Sequence, residues 1–162
     1  MRKLVIYYSL EGNTKLISDT LAKTLEADIL RLEPVKDIHP TWFMKYMRGG
    51  KQVIMKETPM LKHFTINPNQ YDLIIIGTPV RAFNYTPACR TFFQEYKLEQ
   101  KKIAFFCTHE GNAGKTLINM RNRLPNNEII TTKDFPNVSK HKEETIEETK
   151  KRAKKIMEYF KK

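Results

Sequence analysis

Lys3-Leu4-Val5-Ile6-Tyr7-Tyr8 followed by Ser9-Leu10-Glu11-Gly12-Asn13-Thr14 decides the reading of this chain. The first six residues have the β-branched and aromatic bias of a buried strand. The next six break that run with a hydroxyl, a glycine, an amide and a second hydroxyl. Ile17, Leu21 and Leu25 then recur at helical spacing. A strand that turns through such residues into a helix makes an anion site, because the helix start offers unpaired N–H groups and the positive end of its dipole. Ser9, Asn13 and Thr14 add side-chain donors, and Gly12 lets the backbone approach a phosphate. Neither Lys nor Arg lies within the loop, so neutral donors would hold the anion. Taken alone, the same turn also reads as an ordinary helix start capped by Asn13 or Thr14.

Two later turns repeat the pattern. Leu73-Ile74-Ile75-Ile76 reads as the most deeply buried strand, ended by Gly77-Thr78-Pro79. The loop beyond carries Val80, Arg81, Ala82, Phe83 and Tyr85 before Pro87 opens a helix. An apolar, aromatic loop at the carboxyl end of a central strand suits a flat heterocycle; it could also pack on its own domain. Ile103 to Cys107 reads as a third strand, giving way to Thr108-His109-Glu110-Gly111-Asn112-Ala113-Gly114 and another helix. If the strands are parallel and adjacent, the three loops border one crevice.

The order and spacing of these motifs resemble the flavodoxin family, small FMN-binding electron carriers, over nearly the whole chain. Ser9 to Thr14 is similar to the family's phosphate loop, with Glu11 in place of its middle Thr. Gly77-Thr78-Pro79-Val80 resembles the start of the first ring-binding loop, and Thr108 to Gly114 stands where the second belongs. The resemblance implies that Ser9, Glu11 (through its backbone N–H), Gly12, Asn13 and Thr14 hold the FMN phosphate. It places Thr78, Pro79, Val80, Arg81, Ala82 and Phe83 along one side of the ring. Thr108, His109, Glu110, Gly111 and Asn112 line the other side. Arg81 stands where Trp is frequent in the family, which moves the aromatic partner of the ring to Phe83 or Tyr85.

Strands are expected near 3–8, 28–32, 71–77, 102–107 and 128–135, and helices near 13–26, 87–97, 114–124 and 141–161. This alternation predicts a parallel sheet with helices on both faces. By the resemblance it is an α/β, three-layer, doubly wound sandwich: a five-stranded parallel sheet of order 2-1-3-4-5 in one flavodoxin-like domain over residues 1–162. The segment from Pro34 to Pro68 reads as two short helical pieces. Its apolar residues cover a sheet face, or Trp42 to Met47 overhang the ring or build a dimer surface. In the last helix Glu143 and Glu144 precede a run of lysines, in accord with the helix dipole. Ile146, Ala153, Ile156, Met157 and Phe160 are its expected buried stripe.

Composition bounds the rest. The 162 residues, 40% hydrophobic, suffice for one globular core. No apolar run approaches the ~20 residues that span a bilayer, and the first apolar run is short and lacks a signal-peptide cleavage site. Cys89 and Cys107 have no metal-ligand spacing and read as reduced, buried thiols of a cytoplasmic protein. His39, His63, His109 and His141 are scattered; His109 alone lies in a site loop, where it could pass a proton to a reduced flavin. Gly111-Asn112-Ala113-Gly114-Lys115-Thr116 resembles a triphosphate-binding loop, but His109 stands where its first glycine belongs.

The net charge of +11 has no nucleic-acid motif beside it and is spread along the chain. It favours steering toward an acidic docking surface on a redox partner protein. The expected function is FMN-dependent electron transfer by a monomer or homodimer. The alternative is an NAD(P)H-dependent flavin or quinone reductase of the same fold, and a third reading is a basic binding module without flavin.

Overall fold

The computed structural model describes residues 1–37 and 58–162. Among these, five strands alternate with four helices: β1 (Lys3–Tyr7), α1 (Asn13–Leu25), β2 (Asp28–Arg31), β3 (Leu73–Pro79), α2 (Pro87–Glu95), β4 (Lys102–His109), α3 (Thr116–Arg123), β5 (Glu128–Pro136) and α4 (Lys142–Tyr159). All strand pairs are parallel, and the sheet order is β2-β1-β3-β4-β5. This is the doubly wound α/β architecture that the alternation predicts. Element limits fall within one or two residues of expectation.

Side-chain parity along the strands builds two core layers. Leu4, Ile6, Ile74, Ile76, Ile103 and Phe105 point to one face, where Ala88, Cys89 and Phe92 of α2 and Met120 of α3 cover them. Val5, Leu73, Ile75, Ala104 and Phe106 point to the other, beneath Ile17, Leu21 and Leu25 of α1 and Ala153 and Ile156 of α4. Every residue of β3 is buried, as expected for a strand flanked on both edges and covered on both faces. Gly77 is a packing requirement of that strand: a Cβ there would stand 2.1 Å from the Phe106 ring.

The stripe of α4 departs from expectation. Thr145 and Thr149 are buried on it together with Ala153 and Ile156, while Ile146 is only half-buried. Threonine is tolerated because its hydroxyl is satisfied within the helix: Thr149 donates to the Thr145 carbonyl at 2.7 Å. The two short helical pieces expected between Pro34 and Pro68, and Trp42 to Met47 within them, lie largely or wholly outside the described residues. The described end of that segment lies against the sheet, with Leu61, Phe64 and Ile66 packed on the α2–α3 layer.

Register places the strand ends together. Tyr7 pairs with Gly77, Pro79 with Thr108, and Thr108 with Phe135. The chain runs outward in opposite directions from the boundary between β1 and β3. In doubly wound sheets, of which flavodoxins are themselves a standard example, ligands sit at such a reversal beyond the carboxyl ends of the strands.

Candidate functional site

At that reversal the structure has a cleft of about 350 Å³. Its walls come from the loop after β1, the loop after β3 and the loop after β4. Of the sixteen residues expected at the site, all but Gly12 and Thr78 line it, and Val138 joins them.

The first loop is ordered by Ser9. The Gly12 N–H donates to the Ser9 hydroxyl oxygen at 3.1 Å, and Gly12 takes φ +97°, a conformation that favours glycine. Gly12 therefore shapes the loop from behind, with its own donor engaged. The bond leaves the Ser9 hydroxyl proton to donate. The Gly12 carbonyl accepts the first bond of α1, from Leu16, at 3.0 Å. The N–H groups of Asn13, Thr14 and Lys15 come before that bond at the helix start. Thr14 is buried, and its hydroxyl meets the Thr108 hydroxyl at 2.9 Å, tying the first loop to the third.

The second loop is a tight hairpin. Arg81 N–H donates to the Asn84 carbonyl at 2.8 Å and Asn84 N–H to the Arg81 carbonyl at 2.9 Å. The two residues between, Ala82 and Phe83, have φ of +47° and +62°. Such mirror-image turns are normally built from Gly, Asn or Asp, so the backbone here is strained. Contacts hold it in place. The Asn84 side-chain oxygen accepts from Tyr85 N–H at 2.8 Å and from Asn119 Nδ2 at 3.2 Å, and Lys115 N–H donates to the Phe83 carbonyl at 3.2 Å. Gly114 lies so close that a Cβ on it would stand 2.6 Å from the Phe83 Cβ.

This geometry separates the two candidate aromatics. Phe83 is 66% exposed and lines the cleft, whereas Tyr85 is buried in the core, edge-on to Phe93 at 5.3 Å. Thr78 is fully buried behind the wall. It donates to the Pro79 carbonyl at 2.9 Å and accepts from Thr86 N–H at 3.2 Å, so it braces the loop. Arg81 stays in the cleft. Its side chain is 15% exposed, its Nη1 donates to the Val80 carbonyl at 2.9 Å, and its Nη2 lies 3.8 Å from Glu11 Oε1. Burial lowers the guanidinium pKa, and the negative charge of Glu11, with a lesser part from Glu110, opposes that shift.

The third loop holds a buried imidazole. His109 Nε2 lies 2.9 Å from Asp134 Oδ2, and the hydrogen bond holds that carboxyl below its ordinary value. A carboxylate only accepts, so Nε2 carries the proton. Nδ1 is buried without a partner among the described residues. Val138 had no motif to mark it. It belongs to the turn after β5, whose carboxyl end reaches the same edge of the sheet, and that shared edge was the available signal.

No group of three or more His, Cys, Asp or Glu able to hold a metal occurs among the described residues, and no helix there is long and apolar enough to cross a membrane. Cys89 and Cys107 are buried free thiols.

A doubly wound parallel sheet with a hydroxyl-lined helix start and two further loops bordering one cleft at its switch point defines a class of small α/β proteins. Within that class, the chain belongs to the flavodoxin family, whose model, described as Flavodoxin, matches residues 2–151. Solved structures of similar fold include a flavoprotein from Lactobacillus acidophilus NCFM in complex with FMN, with TM-score 0.70 and 20% identity over 88% of this chain and 97% of that one. Oxidised Flavodoxin 2 from Bacillus cereus gives TM-score 0.62 and 16% identity over 98% and 99%. Two-electron reduced Megasphaera elsdenii flavodoxin gives 0.59 and 16% over 94% and 98%. No curated protein matches the chain.

Proposed function

We propose that the cleft binds FMN and that the chain, as one domain over residues 1–162, carries electrons between redox partners. The observation that carries this reading is the convergence of three loops on one cleft, with neutral donors at one end and an apolar, aromatic wall at the other. The residues fit the group. Ser9, Asn13 and Thr14, with the N–H groups at the start of α1, would hold the 5′-phosphate, and Glu11 would add its backbone N–H. Pro79, Val80, Ala82 and Phe83 would border one side of the ring. Thr108, His109, Glu110, Gly111 and Asn112 would border the other. The orphaned His109 Nδ1 is a polar atom that a heteroaromatic ligand rich in N and O can satisfy.

When bound, FMN supplies the redox chemistry; the chain binds it, orients it and sets its electrostatic surroundings. The bracing contacts constrain the Phe83 backbone, which limits backbone reorganisation on binding. The excess of lysine and arginine would speed encounter with acidic partners. The test is reconstitution with FMN, followed by fluorescence titration and assay with NADH and NADPH. Tight FMN binding with negligible NAD(P)H oxidation is the expected result. Steady turnover would instead mark a reductase, and failure to bind FMN would overturn the reading.

A further inference from the structure

The phosphate loop contains a carboxylate. Glu11 sits between the Ser9 hydroxyl and Asn13, at the end of the cleft where a dianionic phosphate is expected, and no Lys or Arg within the loop offsets it. The cation that meets it comes from the second loop. Arg81 reaches Glu11 at 3.8 Å, and its side chain is 15% exposed against 44% for Glu11. That separation is an ion-pair contact rather than a hydrogen bond, so the pairing is one of charge. The hairpin that carries Arg81 is rigid, with two residues at positive φ and Gly114 packed on Phe83. The guanidinium is itself largely buried and donates from Nη1 to the Val80 carbonyl at 2.9 Å, so it is part of the cleft wall rather than recruited from solvent. Glu110 is a second carboxylate that acts on it; Tyr8, hydrogen-bonded to Asp37 at 2.8 Å, is kept protonated by burial and by Asp37 and adds no charge.

We infer that Arg81 is a positioning residue that masks the charge of Glu11, and that this cross-loop pair lets a phosphate loop bearing a carboxylate accept a phosphorylated ligand. The inference rests on the FMN reading of the cleft. Without Arg81, Glu11 loses the cation in contact with its carboxylate and stands as a like charge beside the phosphate, while Arg31, which donates to the Ser9 carbonyl at 3.2 Å, remains on the backbone side of the loop. The change disfavours FMN and leaves the uncharged tail of riboflavin unaffected. A guanidinium that bound phosphate directly would predict something different: its loss could not be repaired at Glu11.

The test is a double-mutant cycle with Arg81→Gln, Glu11→Gln and the pair, titrated with FMN and with riboflavin at low and physiological salt. Arg81→Gln should weaken FMN about tenfold or more, most at low salt, and riboflavin by no more than a few-fold. Glu11→Gln should bind FMN at least as tightly as the wild type. The double variant should recover FMN to within a few-fold of the wild type. If Arg81→Gln folds poorly, Arg81→Lys serves in its place: it keeps the charge and should keep the preference for FMN over riboflavin. Equal loss of both ligands in Arg81→Gln, no loss of either, failure of Glu11→Gln to restore binding in the double variant, or loss of the preference in Arg81→Lys would each overturn the inference. Wild-type protein that binds neither ligand would overturn the FMN reading itself.

Discussion

Thr14 and Thr108 are 94 residues apart in sequence and meet hydroxyl to hydroxyl at 2.9 Å on the floor of the cleft. The contact joins the first turn of α1 to the end of β4, so one hydrogen bond links two loops that the sheet already sets side by side.

Thr14→Ala removes both that bond and a donor beside the helix start. We expect FMN affinity to fall about tenfold, since a hydrogen bond to a charged group contributes roughly 1.5–3 kcal/mol. Riboflavin affinity should change by only a few-fold. Parallel titrations check this, and equal losses for the two ligands would remove Thr14 from the phosphate site.

Lys115 tests the resemblance of Gly111–Thr116 to a triphosphate-binding loop. Gly114 there is packed on Phe83 and the Lys115 N–H is engaged by the Phe83 carbonyl, so the backbone is closed to a phosphate chain. Lys115→Ala should leave FMN affinity within a few-fold. Calorimetry with ATP and Mg²⁺ should show no binding to the wild type; tight, magnesium-dependent binding would contradict this.

Arg81 and Glu11 also bear on redox potential. A buried cation favours the more negative, reduced form of a bound flavin, and a neighbouring carboxylate offsets it. Arg81→Trp should lower the midpoint potential and Glu11→Gln should raise it. A tenfold change in the ratio of affinities for the two forms is about 59 mV for a one-electron step. Spectroelectrochemical titration reads both variants, and shifts of the same sign would refute the pairing.

Gly77→Ala places a methyl group inside the Phe106 ring, which is itself buried between the sheet and its helices. Overpacking of this kind costs about 1–3 kcal/mol or more. Chemical denaturation should show that loss, and Phe106→Leu in the same chain should recover part of it. Additive losses would mean that the two positions do not compete for space.

Burial raises the pKa of both thiols, and Cys107 is pushed up to about 12, with Asp134 a lesser cause. The thiolate is the reactive form, so the native protein should resist iodoacetamide at pH 8 and take up label at both cysteines only after unfolding. Mass spectrometry of native and denatured samples checks the contrast. Native labelling at Cys107 would show that its strand end opens readily.

The periodicities in β1, β3 and β4 were legible because a strand buried on both faces leaves a continuous apolar run. The three loops were legible because Gly, Asn, Ser and Thr carry turn chemistry in their side chains. What was not legible depended on direction. Phe83 and Tyr85 both read as aromatic partners for a ring, and only the hairpin geometry sends one to the cleft and the other to the core. Thr78 and Thr108 both read as site hydroxyls, yet the register turns one behind the wall and the other into it. Thr145 and Thr149 broke the apolar stripe of α4 because hydrophobicity alone does not reveal a hydroxyl satisfied within its own helix.

The outer edge of β5 has one further consequence. Along the β4–β5 ladder Ile103 pairs with Ile129 but Ala104 pairs with Thr131, so Ile130 is skipped in a bulge. The strand ends in Pro136, which has no N–H to offer, and Lys133 on it is engaged by Glu148 at 3.0 Å. A foreign strand adding to this edge would meet a broken register, a missing donor and a standing ion pair. These are the features by which sheet edges resist edge-to-edge aggregation. The same irregularities that end the sheet on this side thus disfavour the addition of another strand at β5.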